Sequence, residues 1–171
     1  LMLTISYAIW DTLIKETNIR AHIGAGHSLG EYTALVANKT LSFNDALMLV
    51  KKRAELMSSA MVDVDGAMAA VIGLDGNNVS EICKGASKGG AIVEAVNFNC
   101  PGQTVIAGHT VAVDDIAPVL KTAGAKIVKK LPVSLAAHTS LLQSVSNDLR
   151  EELKVINFNL DNLFDVIHNY D

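Results

Sequence analysis

Cysteine is scarce: Cys83 and Cys100 are the two in a chain of 171 residues. They share no CxxC spacing, which excludes a disulfide framework and fits free thiols in a reducing cytoplasm. Basic charge is short as well. The formal net charge is −4, whereas general nucleic-acid binding needs a basic footprint. Lysines do gather at Lys51 and Lys52 and at Lys126, Lys129 and Lys130. Such clusters read first as solvated faces and second as docking points for an acidic partner. No apolar run reaches the ~18 residues that a membrane helix needs. No HxxxH or HxH pair suggests a metal site, and no P-loop is present. A dinucleotide fingerprint fails at its last glycine, because Leu29 stands there in "GAGHSLG".

What is present is apolar material. Hydrophobic residues make up 50% of the chain and charged residues 19%, enough for one compact domain or a core with an inserted subdomain. The opening "LMLTISYAIWDTLIKE" predicts a helix with Leu1, Ile5, Ala8, Ile9 and Leu13 on its inner face. It has no start methionine, cap or signal peptide, so the chain is expected to begin inside a larger protein. Arg20 to His27 reads as a buried strand, and Leu29 to Val36 as a helix ending near Asn38. Ser42, with Asp45 three residues on, marks the N-cap of a longer helix reaching about Met61. Its apolar stripe is Phe43, Ala46, Leu47, Val50, Ala54, Met57 and Met61.

After an exposed connection at 62–66 the pattern becomes symmetric. "AMAAVIGL", "NNVSEICKGAS" and "AIVEAVNF" read as strand, helix, strand, and "QTVIAGH", "VAVDDIAPVLKTAG" and "AKIVKKLPV" repeat the order. Together they predict a βαββαβ unit of the split, ferredoxin-like kind. The turn "NCPG" supplies proline and glycine at the reversal. Pro118 should kink the second helix or delay its start. From Thr139 a helix runs to about Lys154, and "LFDVIHN" then reads as extended. An open α/β sheet would hardly stop there, so a continuation is expected.

The segment with chemical promise is Gly26-His27-Ser28-Leu29-Gly30. A serine between a strand and a helix, with glycines two positions either side, has the context of a nucleophile elbow. The Leu29 N–H would then sit at a helix N-terminus, where an oxyanion would form. The alternative is a serine that only caps its helix. A nucleophilic serine needs a base. His27 adjoins it on the strand and reads as structural, His22 and His168 as surface or satisfied core, and His109 as a polar helix cap. His138, in "LPVSLAAHTSLL", lies just past a strand, flanked by the small Ala136 and Ala137. Arg53 lies at the edge of its helix's apolar stripe. It can snorkel to solvent or reach into a cleft and pair with a carboxylate.

Four separated stretches, "GAGHSLGEYTALVA", "GAMAAVIGL", "AVNFNCPGQTVIAGH" and "LPVSLAAHTSLL", together resemble the bacterial malonyl-CoA:acyl carrier protein transacylase family, in order along nearly the whole chain. The resemblance implies an α/β fold: an α/β-hydrolase-like core at 1–65 and 134–171, with a ferredoxin-like subdomain inserted at 66–133. It implies Ser28 as nucleophile, His138 as base, Arg53 as partner of the free malonyl carboxylate and the Leu29 N–H as oxyanion donor. Asn97, Asn99 and Gln103 are similar to residues near the thioester. The expected partners are malonyl-CoA and acyl carrier protein, with neither cofactor nor metal, in a cytoplasmic monomer. A polyketide-type acyltransferase, a serine esterase and a non-catalytic module are the competing functions. Two features depart from the family. The first strand, with its glutamine-bearing loop, and the portion that orients the histidine are both missing, so the chain as given is expected to be a poor catalyst or none. In addition, Leu135-Ala136-Ala137 replaces the proline–serine pair that precedes the histidine in many relatives, which bears on acyl selectivity.

Overall fold

The computed structural model describes residues 1–87 and 89–169. They form two compact units: Glu55–Asp148, and Leu1–Ala54 together with the chain from Leu149 on.

The 55–148 unit is built on a four-stranded antiparallel sheet. Its strands are β2 (Gly66–Ile72), β3 (Val93–Cys100), β4 (Gln103–His109) and β5 (Ile127–Lys130), in the order β3-β4-β2-β5. With α4 (Gly76–Ala86) joining β2 to β3 and α5 (Thr110–Thr122) joining β4 to β5, this is the βαββαβ arrangement expected from the sequence. One sheet face packs on the two helices. Ala67, Ala69, Val71, Val93 and Ile106 of the strands meet Val79, Cys83, Val113, Ile116 and Leu120 of the helices in one buried cluster. Alternate strand residues point the same way, so a period-2 pattern supplies a continuous apolar layer. The β3–β4 hairpin turns at Pro101-Gly102, where Gly102 adopts φ +79°, a conformation other L-residues resist. Two register shifts interrupt β3, between Ala95 and Asn97 and between Phe98 and Cys100.

Pro118 neither delays α5 nor ends it: the helix starts at Thr110 and runs through the proline. Burial of Ala112, Val113, Ile116 and Leu120 outweighs the one hydrogen bond a proline removes. Val119, next to the proline, is exposed.

The other unit contains α1 (Met2–Glu16), β1 (Ile23–Ala25), α2 (Leu29–Ala37), the start of α3 (Phe43–Ala60), the end of α6 (Gln143–Leu153) and β6 (Asp165–Ile167). β1 and β6 pair in parallel, Gly24 opposite Val166 and Ala25 opposite Ile167. The buried strand expected over Arg20–His27 is three residues long, and Ile23 is exposed. The inner face of α1 also differs from expectation. Leu3 is its buried residue, and Tyr7 packs with it on Val36, Leu41, Ala46 and Leu49. Leu1, Ile5, Ile9 and Leu13 are exposed. Tyr7 stacks on Phe43 at 5.2 Å and Trp10 meets Phe164 edge-on at 5.7 Å. Among the described residues no helix is long and apolar enough to cross a membrane.

Candidate active site

β1 ends at Ala25 and α2 begins at Leu29, leaving three residues to reverse the chain. The reversal is sharp enough that a Cβ on Gly26 would lie 2.1 Å from the carbonyl of Gly30. Gly26 therefore cannot carry a side chain unless α2 moves. Gly30 is different: a Cβ there would meet nothing within 4 Å. The two glycines that flank Ser28 in the elbow pattern thus differ. Only the first is required for space, because the close approach is made by the backbone of Gly30 and not by the space where its side chain would be.

Ser28 sits at the apex with φ 53° and ψ −107°, outside the regions open to L-residues. Such a residue stores about 1–3 kcal/mol and persists only where its surroundings over-determine it. It occupies the N-cap position of α2 without making a side-chain cap bond. Its hydroxyl oxygen instead accepts from Arg53 Nη2 at 2.9 Å. The plain capping alternative thus fails on geometry.

Arg53 reaches this point from α3, and Ser42 fixes where α3 starts. Ser42 Oγ accepts the Asp45 N–H at 3.1 Å and donates to the Asp45 carboxylate at 2.6 Å, a reciprocal cap. Ten residues further on, Lys52 turns to Glu152 at 3.1 Å while Arg53 turns to Ser28. Among the described residues Arg53 has no carboxylate within ion-pair distance. A half-buried guanidinium bonded to a neutral hydroxyl has unused donors in a planar fork suited to a carboxylate. Tyr32 senses the same charges. Burial raises its phenol above the ordinary value, Arg53 pulls it down and Glu31 pushes it up.

Leu29 is half-buried against the α1–α3 cluster. Three neighbouring N–H groups are committed: Ser28 donates to Asn169 Oδ1 at 2.8 Å, Gly30 to the His27 carbonyl at 2.9 Å and Glu31 to the Ser28 carbonyl at 3.3 Å. The Leu29 N–H has no such partner among the described residues. It stands at a helix N-terminus, where an anion is favoured.

His138 lies in the 55–148 unit and is exposed. Its φ is 64°, and the turn around it is tied on both sides. Thr139 Oγ1 donates to the Ala136 carbonyl at 2.8 Å, and the Glu94 carboxylate accepts from Ser140 N–H at 2.9 Å and from Ser140 Oγ at 2.6 Å. Ala136 is fully buried beside Gly66, whose Cβ would lie 2.9 Å from the Ala136 nitrogen. Its small side chain packs with Met68 of β2. Asn97, Asn99 and Gln103 share the β3–β4 hairpin. Asn97 pairs with Val105, Asn99 falls in the second register shift, and Gln103 Oε1 accepts from Cys100 Sγ at 3.6 Å.

His109 occupies the N-cap position of α5, but its side chain makes no cap bond; Nδ1 accepts the Ile92 N–H at 3.0 Å. His168 is more than a surface residue, since its Nδ1 lies 2.6 Å from Glu31 Oε1. A carboxylate only accepts, so Nδ1 carries the proton. Asn169, beside it, escaped the sequence reading altogether. The only local signal was its place at the end of an extended run. Among the described residues no group of three or more His, Cys, Asp or Glu could hold a metal. A cavity of about 920 Å³ beside α1, lined by Trp10, Arg20, His22 and Phe164 among others, holds none of the predicted site residues.

A strained serine, a cation on its oxygen and an unused N–H at a helix start are an arrangement that could take an acyl group and its oxyanion. In comparison with known proteins, residues 2–165 match the family described as "Acyl transferase domain". The chain belongs to that family. This acyl transferase domain is 41% identical over 170 residues to the malonyl CoA-acyl carrier protein transacylase of Escherichia coli K12, covering 99% of this chain and 54% of that protein. Its structure is similar to that of the Coxiella burnetii malonyl CoA-acyl carrier protein transacylase, with TM-score 0.93 and 40% identity over 99% of this chain and 53% of that one. It is also similar to a malonyl-transacylase solved with a type II PKS acyl-carrier protein, with TM-score 0.94 and 40% identity over 99% and 54%. The domain spans about half the length of the curated relatives it matches. Its fold is α/β, with the α/β-hydrolase-like core of these neighbours.

Proposed function

We propose that the protein transfers a malonyl group from malonyl-CoA to the phosphopantetheine thiol of acyl carrier protein, in fatty-acid synthesis in the cytoplasm. The observation that carries this reading is the 2.9 Å contact of Arg53 Nη2 with Ser28 Oγ at a strained strand-to-helix turn. Ser28 attacks the thioester carbonyl and His138 takes its proton. Coenzyme A leaves with that proton on its sulfur, and a serine ester remains. The carrier thiol then attacks the ester, giving the malonyl thioester and restoring the serine hydroxyl. The Leu29 N–H holds the oxyanion in both halves. Arg53 receives the free carboxylate, which selects malonyl over acetyl because a guanidinium left unpaired in a closed site is costly. Asn97, Asn99 and Gln103 contact the thioester arm. Side chains and backbone suffice for these steps without a cofactor. In this reading residues 66–133 are the small subdomain, and 1–65 with 134–171 belong to the large one.

The test is intact-mass analysis of the full-length protein with malonyl-CoA. A malonyl adduct on Ser28 is expected, discharged by holo carrier protein and abolished by Ser28→Ala. An adduct that persists in that variant, or free malonate released without the carrier, would defeat the proposal. The neighbour solved with a type II PKS carrier favours polyketide loading as a second reading, and discharge rates to the two kinds of carrier separate them. Arg53→Ala should slow malonyl loading roughly 100-fold or more while leaving acetyl loading the same or faster.

A further inference from the structure

We propose that Asn169 is a positioning residue that locks the elbow from both sides of Ser28; the inference rests on reading Ser28 as the nucleophile. Its Oδ1 accepts the Ser28 N–H at 2.8 Å, and its Nδ2 donates to the Gly26 carbonyl at 2.6 Å and to the Glu31 carboxylate. Its own N–H donates to Glu31 Oε2 at 3.3 Å, and His168 Nδ1 holds the other Glu31 oxygen. A primary amide is the side chain that offers an acceptor and two donors at one end, and here all three are used. One amide therefore ties the first residue of the turn, the strained apex and the first turn of α2.

The same stretch of chain also grips the far end of α2. The buried Asn38 donates through Nδ2 to the Phe164 carbonyl at 3.2 Å, and Leu163 N–H donates to the Asn38 carbonyl at 2.9 Å. Between these two grips runs β6, paired with β1. Residues 163–169 thus hold α2 at both ends, and Asn169 is the end that sets the serine. Because it consumes the Ser28 N–H, the Leu29 N–H is the donor left for an oxyanion.

The role predicts slower chemistry with substrate binding preserved. Labelling of the full-length protein by a fluorophosphonate reads Ser28 directly and independently of acyl specificity. In that reaction the serine oxygen bonds to phosphorus, fluoride leaves and the hydroxyl proton goes to the base. Asn169→Ala should label roughly 10- to 100-fold more slowly, as a displaced reacting group does. For malonyl transfer kcat should fall by a similar factor, with KM for malonyl-CoA within about threefold of wild type. Asn169→Asp keeps the acceptor for Ser28 but sets a carboxylate against Glu31. It should also label slowly, and adding Glu31→Gln should restore at least about fivefold by removing the like charge.

Labelling of folded Asn169→Ala within twofold of wild type overturns the proposal, as does a double variant no faster than Asn169→Asp. If Asn169→Ala does not fold, that rescue pair decides alone. A wild type labelled by the phosphonate but never malonylated defeats the transfer reading only, with the phosphonate series still deciding the role of Asn169. A wild type labelled by neither reagent defeats both.

Discussion

In the 55–148 unit, four strands and two helices enclose a cluster in which Ile106, Val71, Val79 and Leu120 are wholly shielded from solvent. In the unit that carries Ser28, the sheet has two short strands, Ile23 and Ile167 are exposed, and one whole face of α1 lies open. There the chain is tied by polar contacts between distant residues: Asn38 to Phe164, Asn169 to Ser28, Arg53 to Ser28. Apolar burial is non-directional and tolerates small shifts. Hydrogen bonds are directional, and they can hold a backbone where it would not go unaided. A unit that must present a serine at φ 53° is served by the second kind of restraint.

The sharpest way to break this contrast is to delete the same side chain in both units. Ile106→Ala removes a fully buried chain from the sheet and should cost about 2–5 kcal/mol in denaturant unfolding. Ile9→Ala, at 64% exposure, should change stability by less than ~0.5 kcal/mol. Equal losses would mean that the α1 face is not open in solution. Asn38→Ala tests the polar side. It strands the Thr40 N–H, now bonded to Asn38 Oδ1 at 2.9 Å, and the Phe164 carbonyl. Its expected cost is about 1–3 kcal/mol, with the Ser28 labelling rate falling as the tail loosens. A loss of stability with labelling unchanged would separate the two grips on α2.

These differences explain what could be read from the sequence. In the 55–148 unit the strands are short runs, mostly apolar and bounded by turn residues, each helix carries an apolar stripe, and "NCPG" marks the hairpin, so local signals suffice. α1 carries two apolar stripes at helical spacing, Leu1-Ile5-Ile9-Leu13 and Leu3-Tyr7-Trp10-Ile14, and periodicity cannot choose between them. Arg20–His27 was read as a buried strand although it is rich in glycine, and burial there depends on neighbours that the local sequence does not show. Ser28, Leu29 and Arg53 were legible because a glycine-boxed serine and a cation off a helix stripe are local signals. Asn169 was not, since the contact that gives it meaning spans 141 residues of chain. His138 lay between. Its neighbours Ala136 and Ala137 were visible, but its left-handed backbone and the Glu94 tie were not.

The core cysteine gives a smaller test of the 55–148 unit. Burial, helped by Glu94, pushes the Cys83 thiol up to about 11 from an ordinary 9.0. The folded state therefore keeps this proton more tightly than the unfolded chain does. Stability is full below about pH 9 and declines as pH rises toward 11. Cys83→Ala or Cys83→Val should flatten that decline in thermal melts taken from pH 8 to 11. At pH 8 iodoacetamide should modify the exposed Cys100 and spare Cys83. Rapid double labelling of the folded protein would show that this core opens readily, and the contrast between the units would weaken.

The finest discrimination is between two serines that occupy the same kind of position. Ser42 caps α3 with its side chain, accepting the Asp45 N–H, so Ser42→Ala should cost about 1 kcal/mol. Ser28 stands at the N-cap position of α2 without such a bond, its oxygen engaged by Arg53. Ser28→Ala keeps the same unfavourable backbone and forfeits one exchangeable contact, so its effect on melting should be close to zero. Matched destabilisation by the two substitutions would mean that the hydroxyl at 28 serves its helix after all. A stable but unreactive Ser28→Ala protein is the result expected of a residue that is held for chemistry and contributes little to the fold that holds it.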